Sequence, residues 1–123
     1  MPKPIEIKWL PRPEDHDYPA ASSYLTLLYA DAETERIVER LKKAPAAQFA
    51  AKDIFRASGL SLMGVSNLHV EKDRKKIASG EALSPLLLVR ANANDRLVIA
   101  DGYHRLCAVY SFDEDALIPC RIV

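Results

Sequence analysis

The chain has 123 residues, 49% of them hydrophobic, and its 17 Lys and Arg balance 17 Asp and Glu. This describes one domain with enough apolar residues for a core, which excludes intrinsic disorder, and a net charge of zero excludes attraction of nucleic acid by bulk charge, which needs a basic excess or a basic face. No apolar run approaches the roughly 20 residues of a membrane span, the opening residues lack a signal-peptide core, and Cys107 and Cys120, without metal or redox spacing, suit packed thiols in a reducing cytoplasm.

Five of the eight prolines lie in residues 1–19. Proline fixes φ and gives no backbone donor, so this stretch predicts an extended arm and no helix. Ile5, Ile7 and Trp9 alternate with Glu6 and Lys8, as in a short edge strand. The arm either lies over the body of the protein or clasps a partner subunit. Zero net charge offers no repulsion against self-association, so a homodimer is an expected partner.

Residues 20–44 turn to helical spacing. Leu25, Leu28, Tyr29 and Ala32 form one stripe, and Ile37, Val38 and Leu41 form a second, out of phase with it. The break predicts a helix pair or one kinked helix, with Asp31 as a candidate cap for the second segment and Pro45 just past its end. Residues 48–58 read either as a short strand or as a turn of helix. Gly59 and Gly64 punctuate a loop, and Ser66-Asn67 leads into a helix over 69–79 that Gly80 closes. The mixed charges of that helix read as a solvated face.

Leu86–Val89 is a continuous apolar run, the pattern of a strand covered on both faces, and Asn92–Asp95 carries turn residues. A second run, Leu97–Ala100, is broken by Asp101-Gly102. Residues 103–112 have helical spacing, with Tyr103, Leu106, Cys107 and Tyr110 on one side, and the acidic turn Asp113-Glu114-Asp115 ends them. Ile118, Cys120 and Ile122 alternate in a closing strand. Together these predict an α+β fold, a small mixed sheet with helices. The apolar strands and two of the helices fall in 48–123, with residues 1–47 as an arm and helical extension.

The segment Val98–Ala108 carries the chemistry. A buried strand runs through Asp101-Gly102 straight into a helix, and Gly102 permits a sharp turn and close approach of a ligand to the backbone. The first helical turn has unpaired N–H groups and the positive end of the helix dipole, which together favour an anion. Arg105 can grip two phosphate oxygens, and His104 can donate a hydrogen bond or a charge. The plainer reading makes Asp101 the helix cap, pairs Arg105 with Asp113 or Asp115, and leaves His104 in solvent. The grouping of these side chains at one strand-to-helix junction favours a phosphate cradle. No HExxH, paired CxxC or Walker loop occurs, which disfavours structural zinc and a Walker ATPase.

Asp101-Gly102-Tyr103-His104-Arg105, followed by Leu106-Cys107-Ala108, resembles the signature of the ParB/sulfiredoxin superfamily. Lys76–Gly80 with Leu83–Val89 is similar to the superfamily's helix, glycine and proline-led strand, and Pro119–Ile122 to its closing strand. The resemblance covers roughly residues 48–123 and is specific at 98–108. It implies a small α/β fold whose motif holds nucleotide phosphates, here Gly102, Tyr103, His104 and Arg105. The ligand would be ATP or CTP with Mg²⁺, or a phosphorylated small molecule. Tyr103 stands where sulfiredoxins carry their catalytic Cys, which excludes thiol-based peroxiredoxin repair. Cys107, one turn further on, reads as a buried hydrophobe. The free-serine kinases of the superfamily, with Asp-Gly-His-His-Arg, match best. They use a separate upstream Glu, for which Glu71 is the candidate here, with Asp101 as a second catalytic acid and His69 as a second phosphate contact. Asp53 and Asp73 are further acids that the sequence does not place, and His16 reads as exposed.

Three functions follow as expectations. The first is a nucleotide- or phosphate-binding domain with NTP hydrolysis or small-molecule phosphotransfer. The second is a catalytically silent interaction module working through the 1–47 extension. The third, a DNA-associated nuclease or partition factor, is disfavoured by the neutral charge and the missing helix-turn-helix.

Overall fold

A computed structural model describes residues 6–61, 67–90 and 96–123. The predicted turn at Asn92–Asp95 and the Gly64 loop lie outside these. Nine elements follow in chain order: α1 (Asp17–Leu25), α2 (Asp31–Lys43), β1 (Ala47–Ala50), α3 (Ala51–Ser58), α4 (Leu68–Ser79), β2 (Leu86–Val89), β3 (Val98–Asp101), α5 (Tyr103–Phe112) and β4 (Leu117–Ile122). The sheet order is β1-β4-β2-β3. β4 runs antiparallel to β1 and parallel to β2, and β3 runs antiparallel to β2. The fold is α+β with a mixed sheet.

All four residues of β2 are buried, as the continuous apolar run requires. Leu86 and Leu88 point to one face, where they meet Ile54 of α3, Val70 and Ile77 of α4, Leu106 and Val109 of α5, and Ile118 and Cys120 of β4. Leu87 and Val89 point to the other, where Ala21 and Leu25 of α1 and Ile37, Val38 and Leu41 of α2 cover them. The extension therefore supplies one of the two layers that bury the sheet. On the first face the Arg74 guanidinium of α4 lies 4.3 Å from the centre of the Phe112 ring of α5.

The 48–58 stretch is both things at once. β1 pairs with β4 from Ala47 to Ala50, and the chain then turns into α3, whose first amides at Ala51 and Lys52 donate to the carbonyls of Ala116 and Glu114 (both 2.9 Å). Asn67 caps α4 by accepting from the amides of His69 and Val70.

Three local expectations are corrected. Residues 17–19 belong to α1, because Pro19 falls in the first turn, where a missing amide costs no hydrogen bond. Asp31 is the first residue of α2 and not its cap, since the N-cap is Ala30. The stripe through Leu28 is not one helical face. α1 stops at Leu25, and the turn beyond it leaves Leu27 79% exposed and Leu28 exposed. The described part of the arm lies over the body: Trp9 bridges Leu83, the Leu83 amide donates to the Lys8 carbonyl at 2.8 Å, and Ile7 and Trp9 pack on the main core.

Candidate functional site

β3 ends at Asp101, and Gly102, with φ +108°, turns the chain into α5 as its N-cap. A Cβ at Gly102 would lie 2.7 Å from Leu86 Cγ and 2.9 Å from Arg105 Nη2, so both the backbone angle and the space demand glycine. Asp101 is thus not the cap. Its carboxylate instead accepts from Arg105 Nη2 at 2.9 Å. This also overturns the pairing of Arg105 with Asp113 or Asp115: Asp113 takes the Asp115 amide, and Asp115 pairs with Lys52.

α4 packs beside α5 with both N-termini at the same end. The His69 and His104 rings face each other with centroids 4.9 Å apart, and Tyr103 lies against His104 at 5.7 Å. A polar cleft of about 200 Å³ opens here, lined by His69, Lys72, Asp73 and Lys76 of α4, by Asp101 and Gly102, and by Tyr103, His104 and Arg105 of α5. Three permanent cations thus face two carboxylates and two imidazoles. Burial and the neighbouring His69 hold the His104 imidazole below its ordinary value, with Asp73 opposing. Burial raises the Asp73 carboxyl, against the pull of Lys76, Arg105, His104 and Lys72. Burial, with Cys107 beside it, raises the Tyr103 phenol, whose hydroxyl donates to the Ser61 carbonyl. The other thiol, Cys120, is pushed up to about 11 by burial and packs as a hydrophobe.

Behind the cleft lies a charged group that sequence reasoning missed. Asp17, in the first turn of α1, is only 2% exposed. Its Oδ2 accepts from the Glu14 amide at 3.0 Å and from the Ser84 hydroxyl, and its Oδ1 lies 3.4 Å from His16 Nε2. Burial, together with the negative charge of Asp17, raises the Asp101 carboxyl against the pull of Arg105. Arg105 is itself incompletely satisfied. Nη2 also reaches the Pro85 carbonyl at 3.4 Å, but Nε is buried with no hydrogen-bond partner among the described residues.

The structure therefore brings together His69, Asp101, Gly102, Tyr103, His104 and Arg105. Glu71 is not among the residues lining the cleft, where the acid on α4 is Asp73. Asp53 lies on α3, paired with Arg56, and His16 is 75% exposed. The α4 face is not simply solvated: His69, Lys72, Asp73 and Lys76 recur at i, i+3, i+4 and i+7, a polar stripe legible by the same rule used for apolar ones. No local signal marks Asp17 as buried.

Comparison of the chain with protein-family models, with curated proteins and with solved structures gives no match.

Proposed function

We propose that this protein is a cytoplasmic ParB/sulfiredoxin-like domain that binds the phosphate of a nucleotide or a phosphorylated small molecule. The observation that carries the reading is the cleft itself: Lys72 and Lys76 of α4 face the opening turn of α5, where His104, Arg105 and unpaired helix N–H groups converge. Its size supports a phosphate group over a whole nucleotide. At about 200 Å³ it is smaller than the roughly 300–1,000 Å³ of pockets that enclose drug-sized ligands. A nucleoside would extend beyond it, with the phosphates of MgATP or MgCTP inside. Phosphoryl transfer is largely positioning and charge neutralisation, and Asp73 is the acid placed to receive a hydroxyl or amine of an acceptor.

A second reading rests on the ion pair of Arg105 with Asp101, both side chains 17% exposed. An arginine committed to the wall of the cleft suits a catalytically silent interaction module descended from such a domain.

Thermal unfolding with phosphate, MgATP and MgCTP separates the two. Phosphate binding predicts a higher Tm with at least one ligand, reduced by Lys72→Ala, Lys76→Ala and His104→Ala. No shift of the wild-type protein by any of the three at millimolar concentration overturns it in favour of the silent module.

A further inference from the structure

A second cleft, of about 280 Å³, lies between the sheet and α3 and shares no described lining residue with the polar one. Ile122 of β4 and Leu88 of β2 are register partners, and together with Phe49 of β1 and Leu97 just before β3 they line its floor. Ile54 and Ala57 of α3 form its wall, and none of the described residues that line it belongs to α4 or α5. Phe49 is 39% exposed, so apolar surface of the sheet meets water here. The frame is fixed on two sides. The Leu97 amide donates to the Ala57 carbonyl at 2.9 Å, and Phe55 of α3 packs edge-on against Tyr110 of α5 with ring centroids 5.0 Å apart.

Two charged residues stand among these apolar side chains, Asp53 and Arg90. Asp53 is paired with Arg56 at 3.3 Å. Arg90, just past β2, is exposed, and its side chain makes no ion pair or hydrogen bond among the described residues. One cation is therefore left over at the edge of an apolar cleft, in a place where an anion paired with it keeps its hydration.

We propose that this cleft binds a small apolar carboxylate, of the class of a medium-chain fatty acid, with its chain laid between Leu88, Ile122 and α3 and its carboxylate on Arg90. The volume sets the size: about 280 Å³ is just under the roughly 300–1,000 Å³ of pockets for drug-sized ligands, which suits one short chain. The charge sets the head group. An exposed ion pair contributes modestly, so burial of the chain supplies most of the affinity. The site stands apart from the phosphate-binding reading and does not depend on it.

The test follows the methyl groups of Leu88, Leu97 and Ile122 by NMR as octanoate, butanoate and octan-1-ol are added separately to the full chain. Octanoate should shift them saturably. Butanoate, four methylenes shorter, should bind at least about tenfold more weakly, the loss expected if two of the four are buried. Octan-1-ol should bind about fivefold more weakly than octanoate, the upper end for an exposed ion pair, and Arg90→Gln should bring octanoate down to the same level. Ala57→Leu, at an exposed helical position that tolerates leucine, should fill the cleft and abolish the shifts. The proposal is overturned if octanoate gives no saturable shift at these methyls, or if octan-1-ol binds as well as octanoate. It is equally overturned if the methyls shift with protein concentration alone, which would place a second copy of the chain on this face. The comparison of octanoate with octan-1-ol needs only the wild-type protein, so it decides the matter even if a variant does not fold.

Discussion

The imidazole of His69, the second residue of α4, lies against that of His104, the second residue of α5, with ring centroids 4.9 Å apart. Burial, and the neighbouring His69, disfavour the charged form of His104. An anion between them reverses that balance. Affinity for sulfate, whose charge is constant over this range, should rise as pH falls below 6.5, and His104→Gln should flatten the rise. The same depression shapes stability. Because His104 is held below its ordinary value, the stability it contributes is present above pH 6.5 and lost as pH falls through the folded-state value. His104→Gln should therefore lose less Tm than the wild-type protein between pH 7 and pH 5, measured by calorimetry.

Asp73 works in the other direction. Its carboxyl is raised, so its contribution is favourable below 3.8 and lost as pH rises through the folded-state value. At pH 7 the charged form costs stability. Asp73→Asn should melt higher than the wild-type protein at pH 7, and the advantage should vanish near pH 3.5. The paired curves need only a dye-based melt across a buffer series. A stabilised Asp73→Asn that also loses phosphotransfer would mark the trade of stability for function common at such sites.

Gly102→Ala meets two penalties at once. A φ of +108° is strained for any residue with a Cβ, and that Cβ would collide with Leu86 and with Arg105 Nη2. The backbone strain alone is about 1–3 kcal/mol, and the collision adds to it by pushing Arg105 off Asp101. Chemical denaturation should show the loss in the midpoint.

Leu41→Ala tests whether the extension is part of the core. Leu41 of α2 is fully buried among Leu25, Ile37, Leu87 and Val89. Its truncation should cost about 2–5 kcal/mol, the range for a buried leucine that leaves a cavity, in one cooperative urea transition. A variant within a few tenths of a kcal/mol of the wild-type protein would make the layer dispensable.

The elements that could be read from sequence are those whose neighbours are implicit in their own pattern. Leu86–Val89 is apolar at every position, and that alone requires cover on both faces. Asn67, Gly80 and Gly102 mark helix ends through local backbone chemistry. The 48–58 stretch was ambiguous because a four-residue strand abuts an eight-residue helix without a separating turn, so neither period runs long enough to dominate. In the site, Gly102, His104 and Arg105 announce themselves by clustering at one junction. Lys72 and Lys76 did not, because a charged stripe looks the same whether it faces water or a cleft. Asp17 was out of reach entirely: an acid between Pro13 and Pro19 reads as solvent-exposed, and only the docking of α1 beside β3 and Ser84 buries it.

The strand order has a consequence for the tempo of folding. β4 follows the other three strands in the sequence yet lies between β1 and β2. Before it arrives, β2 and β3 can close as a hairpin, but β1 has no strand to bond with and the β2 edge stands open. Both ladders of β4 join residues far apart along the chain, the kind of contact whose loop-closure cost slows folding. The strand acts as a keystone: the half-sheets wait on it, and their amides should gain protection from hydrogen exchange together, in the step that seats Ile118 and Cys120.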